Sequence, residues 1–194
     1  MEGPRLQSAT YELNYLRAGV ELLEPYLMSK DIYRPMRVTP KTGEPPYPSL
    51  TLGGLLLTKA KLSSAMFPAD LQAERDRILI ELDALQTHWQ VAWERKAERE
   101  FYARLKQWAD YLDESRTDPE NNADRYAYEV GRRVMLHLLD PYTRKAPRAE
   151  KDLVHHLDTL LHAVFLPGEF IWDDWQKPTF SPQIYWYLYG KIRV

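Results

Sequence analysis

The sequence predicts an all-α protein: a helical bundle of four to five helices with one very long central helix, a proline-rich crossover and an aromatic C-terminal cap, folded as a single domain over residues 1–194. Three observations predict it. Leu6, Ala9, Leu13, Leu16, Val20, Leu23 and Leu27 alternate three and four apart, and Ile78, Leu82, Leu85, Trp89 and Ala92 repeat the rhythm. Such a seven-residue repeat keeps one apolar stripe against a partner helix, as in coiled-coil packing. From Pro68 to Ser115 no residue after the proline is a proline or a glycine, and most are strong helix formers. Pro35, Pro40, Pro45, Pro46 and Pro48 crowd a stretch where neither helix nor central strand can persist.

The elements follow in order. A first helix starts near Ser8 and stops before Pro25, which cannot donate an interior hydrogen bond. Lys30 to Pro48 reads as an extended surface segment with a short strand at Ile32 and Tyr33. Connectors of that length are uncommon and often functional. Ser49 caps a second helix through Leu52, Leu55, Leu56 and Leu62, in which Gly53 and Gly54 permit close approach of a neighbour.

The central helix begins at Pro68 and would be on the order of 70 Å long at 1.5 Å per residue. At about 100° per residue its apolar stripe stays near the angle of Leu71 through Ile78, Leu82, Leu85 and Trp89. It then moves by roughly 100° to 160° for Phe101, Leu105, Trp108 and Leu112. With no helix breaker between Val91 and Ala97, a continuous helix that changes partner is expected, the alternative being a short hinge. Its mixed charges, including Glu94, Lys96, Arg99, Glu100 and Arg104, read as a solvated face, and Arg104 lies one turn from Trp108, within reach of a cation–ring contact.

Asn121 or Asn122 caps a fourth helix that ends at Asp140-Pro141 and carries Tyr126, Val130, Val134 and Leu138 on one face. A fifth runs from about Arg148 to Phe165 and closes at Pro167-Gly168. Nine aromatics follow from Phe165 onward, and Tyr185 to Tyr189 can be a short helix or extended.

Composition narrows the function. With 44% hydrophobic and 28% charged residues the chain reads as a soluble globular protein. Its 26 basic and 28 acidic side chains leave a net charge of −2, which disfavours nucleic acid and anionic membranes as partners. The absence of cysteine removes thiol chemistry and sulfur-ligated metals and fits a reducing, cytoplasmic location. The amino terminus lacks a signal-peptide pattern, and the longest uncharged run, Pro45 to Thr58, holds 14 residues, too few to span a bilayer. No phosphate-binding glycine loop, dinucleotide fingerprint or nucleophile elbow is present, and no catalytic residue stands out.

Three constellations remain. His155, Asp158 and His162 share a narrow face of the fifth helix, opposite Leu153, Leu157, Leu160, Leu161 and Val164, and two imidazoles with a carboxylate can ligate a divalent metal. Against this, no second helix offers a matching Glu-x-x-His, and a solvated polar face explains the trio equally. Arg132, Arg133, Arg144, Lys145 and Arg148, with Lys151 among Asp140 and Glu150, form a basic cluster that can grip an anion or simply sit in water. Trp172, Trp175, Tyr185 and Trp186, rimmed by Asp173 and Asp174, can line a ligand pocket or a partner surface, or fold back as core. The leading expectation is a non-enzymatic protein-binding or self-associating module, a homodimer or partner of another protein, without a cofactor. A metal-dependent enzyme using His155, Asp158 and His162 is the alternative, and a small-molecule binder under the aromatic cap is the third reading.

Overall fold

The computed structural model describes residues 4–143 and 148–193, and is mostly helical. Its helices are α1 (Pro4–Glu21), α2 (Leu23–Met28), α3 (Leu52–Leu62), α4 (Ala69–His88), α5 (Gln90–Thr117), the single turn α6 (Pro119–Asn122), α7 (Tyr126–Leu139) and α8 (Arg148–Val164). A small antiparallel hairpin, β1 (Phe165–Phe170) and β2 (Tyr189–Ile192), adds strand to a chain expected to be all helix.

In α1 the apolar rhythm buries Ala9, Leu13, Leu16 and Val20, and Tyr15 joins them. The helix begins at Pro4 rather than near Ser8 and ends at Glu21, before Pro25; Pro25 itself falls in the first turn of α2, where its missing N–H needs no partner. At the other end of α2 the Lys96 ammonium from α5 donates to the carbonyls of Ser29 (2.8 Å) and Asp31 (2.7 Å), and lies 4.3 Å over the Tyr26 ring. The chain then crosses without regular structure, touching itself through the Arg34–Leu50 bridge and a turn between Lys41 and Glu44; no strand forms at Ile32 and Tyr33. Thr51, not Ser49, caps α3: its backbone is extended and its hydroxyl accepts from the Gly54 N–H at 2.9 Å.

The long helical run divides at Trp89 (φ −104°, ψ 29°), two residues before the region where the apolar stripe changes face. The Trp89 N–H still donates to Leu85, and the Trp93 N–H to Trp89, so helical hydrogen bonding resumes one turn past the break. No breaker residue causes this. The halves serve different neighbours, α4 lying on α1 while α5 packs on α2, α3, α7 and α8, and the small re-aiming at Trp89 accommodates both.

Asp118 rather than Asn121 or Asn122 acts as a cap, its carboxylate accepting the Asn121 N–H of α6; Asn122 instead donates to the carbonyl of Asp118 at 2.8 Å. The core joins α1, α3, α5 and α7 around Trp93, Trp108, Tyr111, Phe101 and Leu16. The aromatic segment packs against it. Tyr126 donates its hydroxyl proton to the Tyr187 carbonyl at 2.6 Å, and the Trp172 indole N–H donates to the Ala127 carbonyl at 2.8 Å. In the hairpin Gly190 faces Pro167 at φ 151°, and a Cβ there would lie 2.2 Å from the Leu166 carbonyl oxygen, so only glycine fits. Among the described residues no helix is long and apolar enough to cross a membrane.

Candidate functional site

A cleft of about 530 Å³ opens where α1, α3, α5 and α7 meet the crossover. Three of the helices line it with residues one turn apart, the spacing that places side chains on one face. α1 gives Tyr11, Glu12 and Tyr15; α3 gives Gly54, Leu57, Thr58 and Lys61; α7 gives Ala127, Tyr128, Gly131, Arg132 and Met135. Arg104 comes from α5, Trp172 from the aromatic segment, and Pro46, Pro48, Ser49 and Thr51 from the crossover. The crossover is held along α1 by the hydroxyls of Tyr11 and Tyr15, which donate to the carbonyls of Pro46 and Ser49, and by the Tyr47 ring, 4.9 Å from that of Tyr11.

The charges are organised in pairs. Lys61 donates to Glu12 at 2.5 Å, and the Thr58 hydroxyl donates to the same carboxylate. Glu100, wholly buried, accepts the Gly53 N–H at 3.0 Å with one oxygen and Arg104 Nε at 3.2 Å with the other. Glu129, also buried, is held between Arg125 at 2.9 Å and Arg132. Of these carboxylates only Glu12 lines the cleft, so its wall presents Lys61, Arg104 and Arg132 against one acid. Burial, and then the like charges of Arg104 and Arg125, push Arg132 below its ordinary guanidinium value, with Tyr128 opposing. Burial and the nearby Glu12 push the Tyr11 hydroxyl up to about 12, while burial, Glu100 and Glu12 push Tyr15 higher still, so both serve as neutral hydrogen-bonding groups at neutral pH. The wall combines cationic donors, hydroxyls and the apolar surfaces of Leu57, Met135 and Trp172: an arrangement suited to binding and orienting a small molecule.

The residues singled out by sequence separate. Asp158 takes a two-pronged ion pair from Arg133, 2.7 Å on each side, because α8 is rolled so that Leu157 and Leu161 are buried and Leu153 and Leu160 are 39% and 43% exposed. His162 stacks on Trp186 at 3.6 Å, and His155 lies beside a hollow of about 150 Å³ with Arg133, His137, Asp140 and Lys151. Among the described residues no group of three or more His, Asp or Glu side chains is placed to hold a metal ion. The two adjacent arginines of α7 diverge: Arg132 reaches the cleft and Arg133 reaches Asp158. Lys151 pairs with Asp140 at 2.8 Å, while Arg144, Lys145 and the Arg148 side chain lie outside the described residues. Of the four aromatics only Trp172 lines the cleft; Trp175 borders a separate groove, Tyr185 is buried, and Trp186 is engaged by His162.

Sequence reasoning missed Tyr11, Glu12, Tyr15, Lys61, Glu100 and Glu129. Of the α5 charges read as a solvated face, Arg99 is exposed and Glu94 and Arg104 are half-buried, but Lys96 is 2% exposed and Glu100 0%. Arg104 meets Glu100 and the Tyr33 ring, not Trp108, which stacks on Tyr111. One signal could have found the buried charges of α5, though not the other missed residues. Lys96, Glu100 and Arg104 fall within about 60° of the angle of Ile78 and Leu82 at 100° per residue, charged residues continuing an apolar stripe. Compared with models of protein families, curated proteins and solved structures, the chain gives no match.

Proposed function

We propose that this protein is a helical small-molecule-binding module whose site is the cleft between α1, α3, α5 and α7. The observation that carries this reading is the cleft itself: about 530 Å³, within the roughly 300 to 1,000 Å³ of ligand sites, with an apolar wall and a few converging polar groups. In this reading the aromatic segment acts as a cap that brings Trp172 into the wall, and the crossover closes the cleft along α1. A cytoplasmic location belongs to the same proposal and rests on the cysteine-free composition.

Filling the cleft tests it. A Cβ at Gly131 would meet only Met135 and Trp172, each at 3.9 Å, so Gly131→Leu grows into the cleft while favouring the helix. In saturation-transfer NMR against a mixture of small aromatic acids, alcohols and amines, the wild type is expected to give signals that Gly131→Leu loses at unchanged or higher thermal stability. Equal signals from both proteins overturn the reading.

A second reading, self-association, has its own observation. On the run from α4 into α5, Ile80 is 71% exposed and Val91 63%. Sedimentation equilibrium decides it: a homodimer that Ile80→Glu splits supports it, and a monomer at high micromolar concentration removes it.

A further inference from the structure

We infer that the occupant of the cleft is an organic anion, its oxyanion group held at Arg104 and Arg132 and its apolar body lying against Met135, Leu57 and Trp172; this rests on the reading of the cleft as a ligand site. The charges of the wall carry the argument. Among its lining residues three are cations and one is an acid, and that acid, Glu12, is already engaged by Lys61 and Thr58. The other two carboxylates of the region, Glu100 and Glu129, stand behind the wall.

Each carboxylate orients a guanidinium without exhausting it. Arg104 reaches Glu100 through Nε, Gln107 through Nη1 at 3.4 Å and Thr51 through Nη2, which leaves one N–H on each terminal nitrogen, and Arg132 reaches Glu129 through Nη1. A guanidinium has five N–H donors in a fixed fork that matches the geometry of carboxylate and phosphate oxygens. The two arginines are close enough to oppose each other's charge, and their side chains are only 12% and 21% exposed. Each guanidinium already has its buried carboxylate, so an anion in the cleft takes the donors left over, and in so poorly solvated a place those charge-assisted hydrogen bonds are the strong ones. The apolar half of the site is equally fixed. The Trp172 ring is anchored by its indole N–H on the Ala127 carbonyl and by an edge contact with Phe180 at 5.3 Å.

The test uses the 194-residue chain and four probes in calorimetric titration: phenyl phosphate and benzoate, with benzyl alcohol and inorganic phosphate as their apolar and anionic halves. One of the two organic anions is expected to bind about tenfold tighter than either half, the effect of one added charge-assisted hydrogen-bonding group. Arg132→Gln is expected to remove that advantage, and Arg132→Lys to restore part of it. Both variants should remain folded because Glu129 keeps Arg125, and thermal unfolding checks this. If benzyl alcohol binds as well as benzoate and Gly131→Leu abolishes both, the cleft stands as a ligand site and the anion inference falls. Organic anions that bind Arg132→Gln as well as wild type also overturn it, as does inorganic phosphate binding as tightly as phenyl phosphate. Failure of all four probes at millimolar concentration overturns it too, and binding unaffected by Gly131→Leu overturns the cleft reading as well.

Discussion

The two halves of the long helical run make opposite use of similar sequence. α4 has the cleaner seven-residue rhythm yet fully buries only Ile78 and Leu82. In α5 ten residues are buried, among them the charged Lys96 and Glu100. The difference lies in the neighbours: α4 lies against α1 and joins α5, while α5 is surrounded by α2, α3, α7 and α8. An apolar repeat states that a face can be buried; how many elements arrive to bury it is decided elsewhere in the chain.

Substitutions in the two halves should therefore differ sharply. Trp108→Ala, which empties a fully buried site in α5, should cost about 3 to 5 kcal/mol in urea unfolding. Glu100→Gln, which leaves the poorly solvated Arg104 guanidinium without its counter-charge, should cost about 3 kcal/mol. A cost below about 1 kcal/mol would show that α5 tolerates charge loss as a solvated helix does.

The pH dependence of α5 has a definite sign. Burial, with Arg99 and Arg34 adding to it against Asp31 and Glu100, lowers Lys96 from 10.5 to about 8. Between those values the unfolded chain holds a proton that the folded chain has released, so stability should rise with pH through that window. The buried hydroxyls of Tyr26, Tyr126 and Tyr187 are raised, so above the ordinary value of 10 the unfolded chain ionises first and stability should fall. Thermal unfolding from pH 7 to 11 should show a maximum between about 8 and 10, and Lys96→Met should remove the rising limb. The smallest effect belongs to α4: Ile80→Ser, at a side chain that is 71% exposed, should change stability by no more than about 0.5 kcal/mol.

Helices were legible in the sequence because their signals are local: the apolar rhythm of α1, the breaker-free run through α4 and α5, the proline after α7. The hairpin was not, because β1 and β2 have six and four residues, too short for alternation to register, and each needs the other for its hydrogen bonds. On α8 the partner of the polar face was illegible for a related reason. The periodicity located a polar side containing Asp158, but the roll of the helix answers to Arg133, twenty-five positions earlier. The cleft was the least legible feature. Tyr11 and Glu12, Gly54 and Lys61, Arg104, and Gly131 and Arg132 come from four helices, and no local pattern links them.

The sequence by itself determined that the chain is mostly helical, that the stretch around Pro35 to Pro48 cannot be helix or central strand, and that no thiol chemistry is available, because backbone chemistry and composition act at short range. Tertiary structure alone decided that Glu129 goes inside, that adjacent Arg132 and Arg133 serve different sites, and that the long run turns at Trp89. Each of these depends on the free energy of a charge or an apolar face in the surroundings that other segments supply, and those surroundings exist only once the chain has folded.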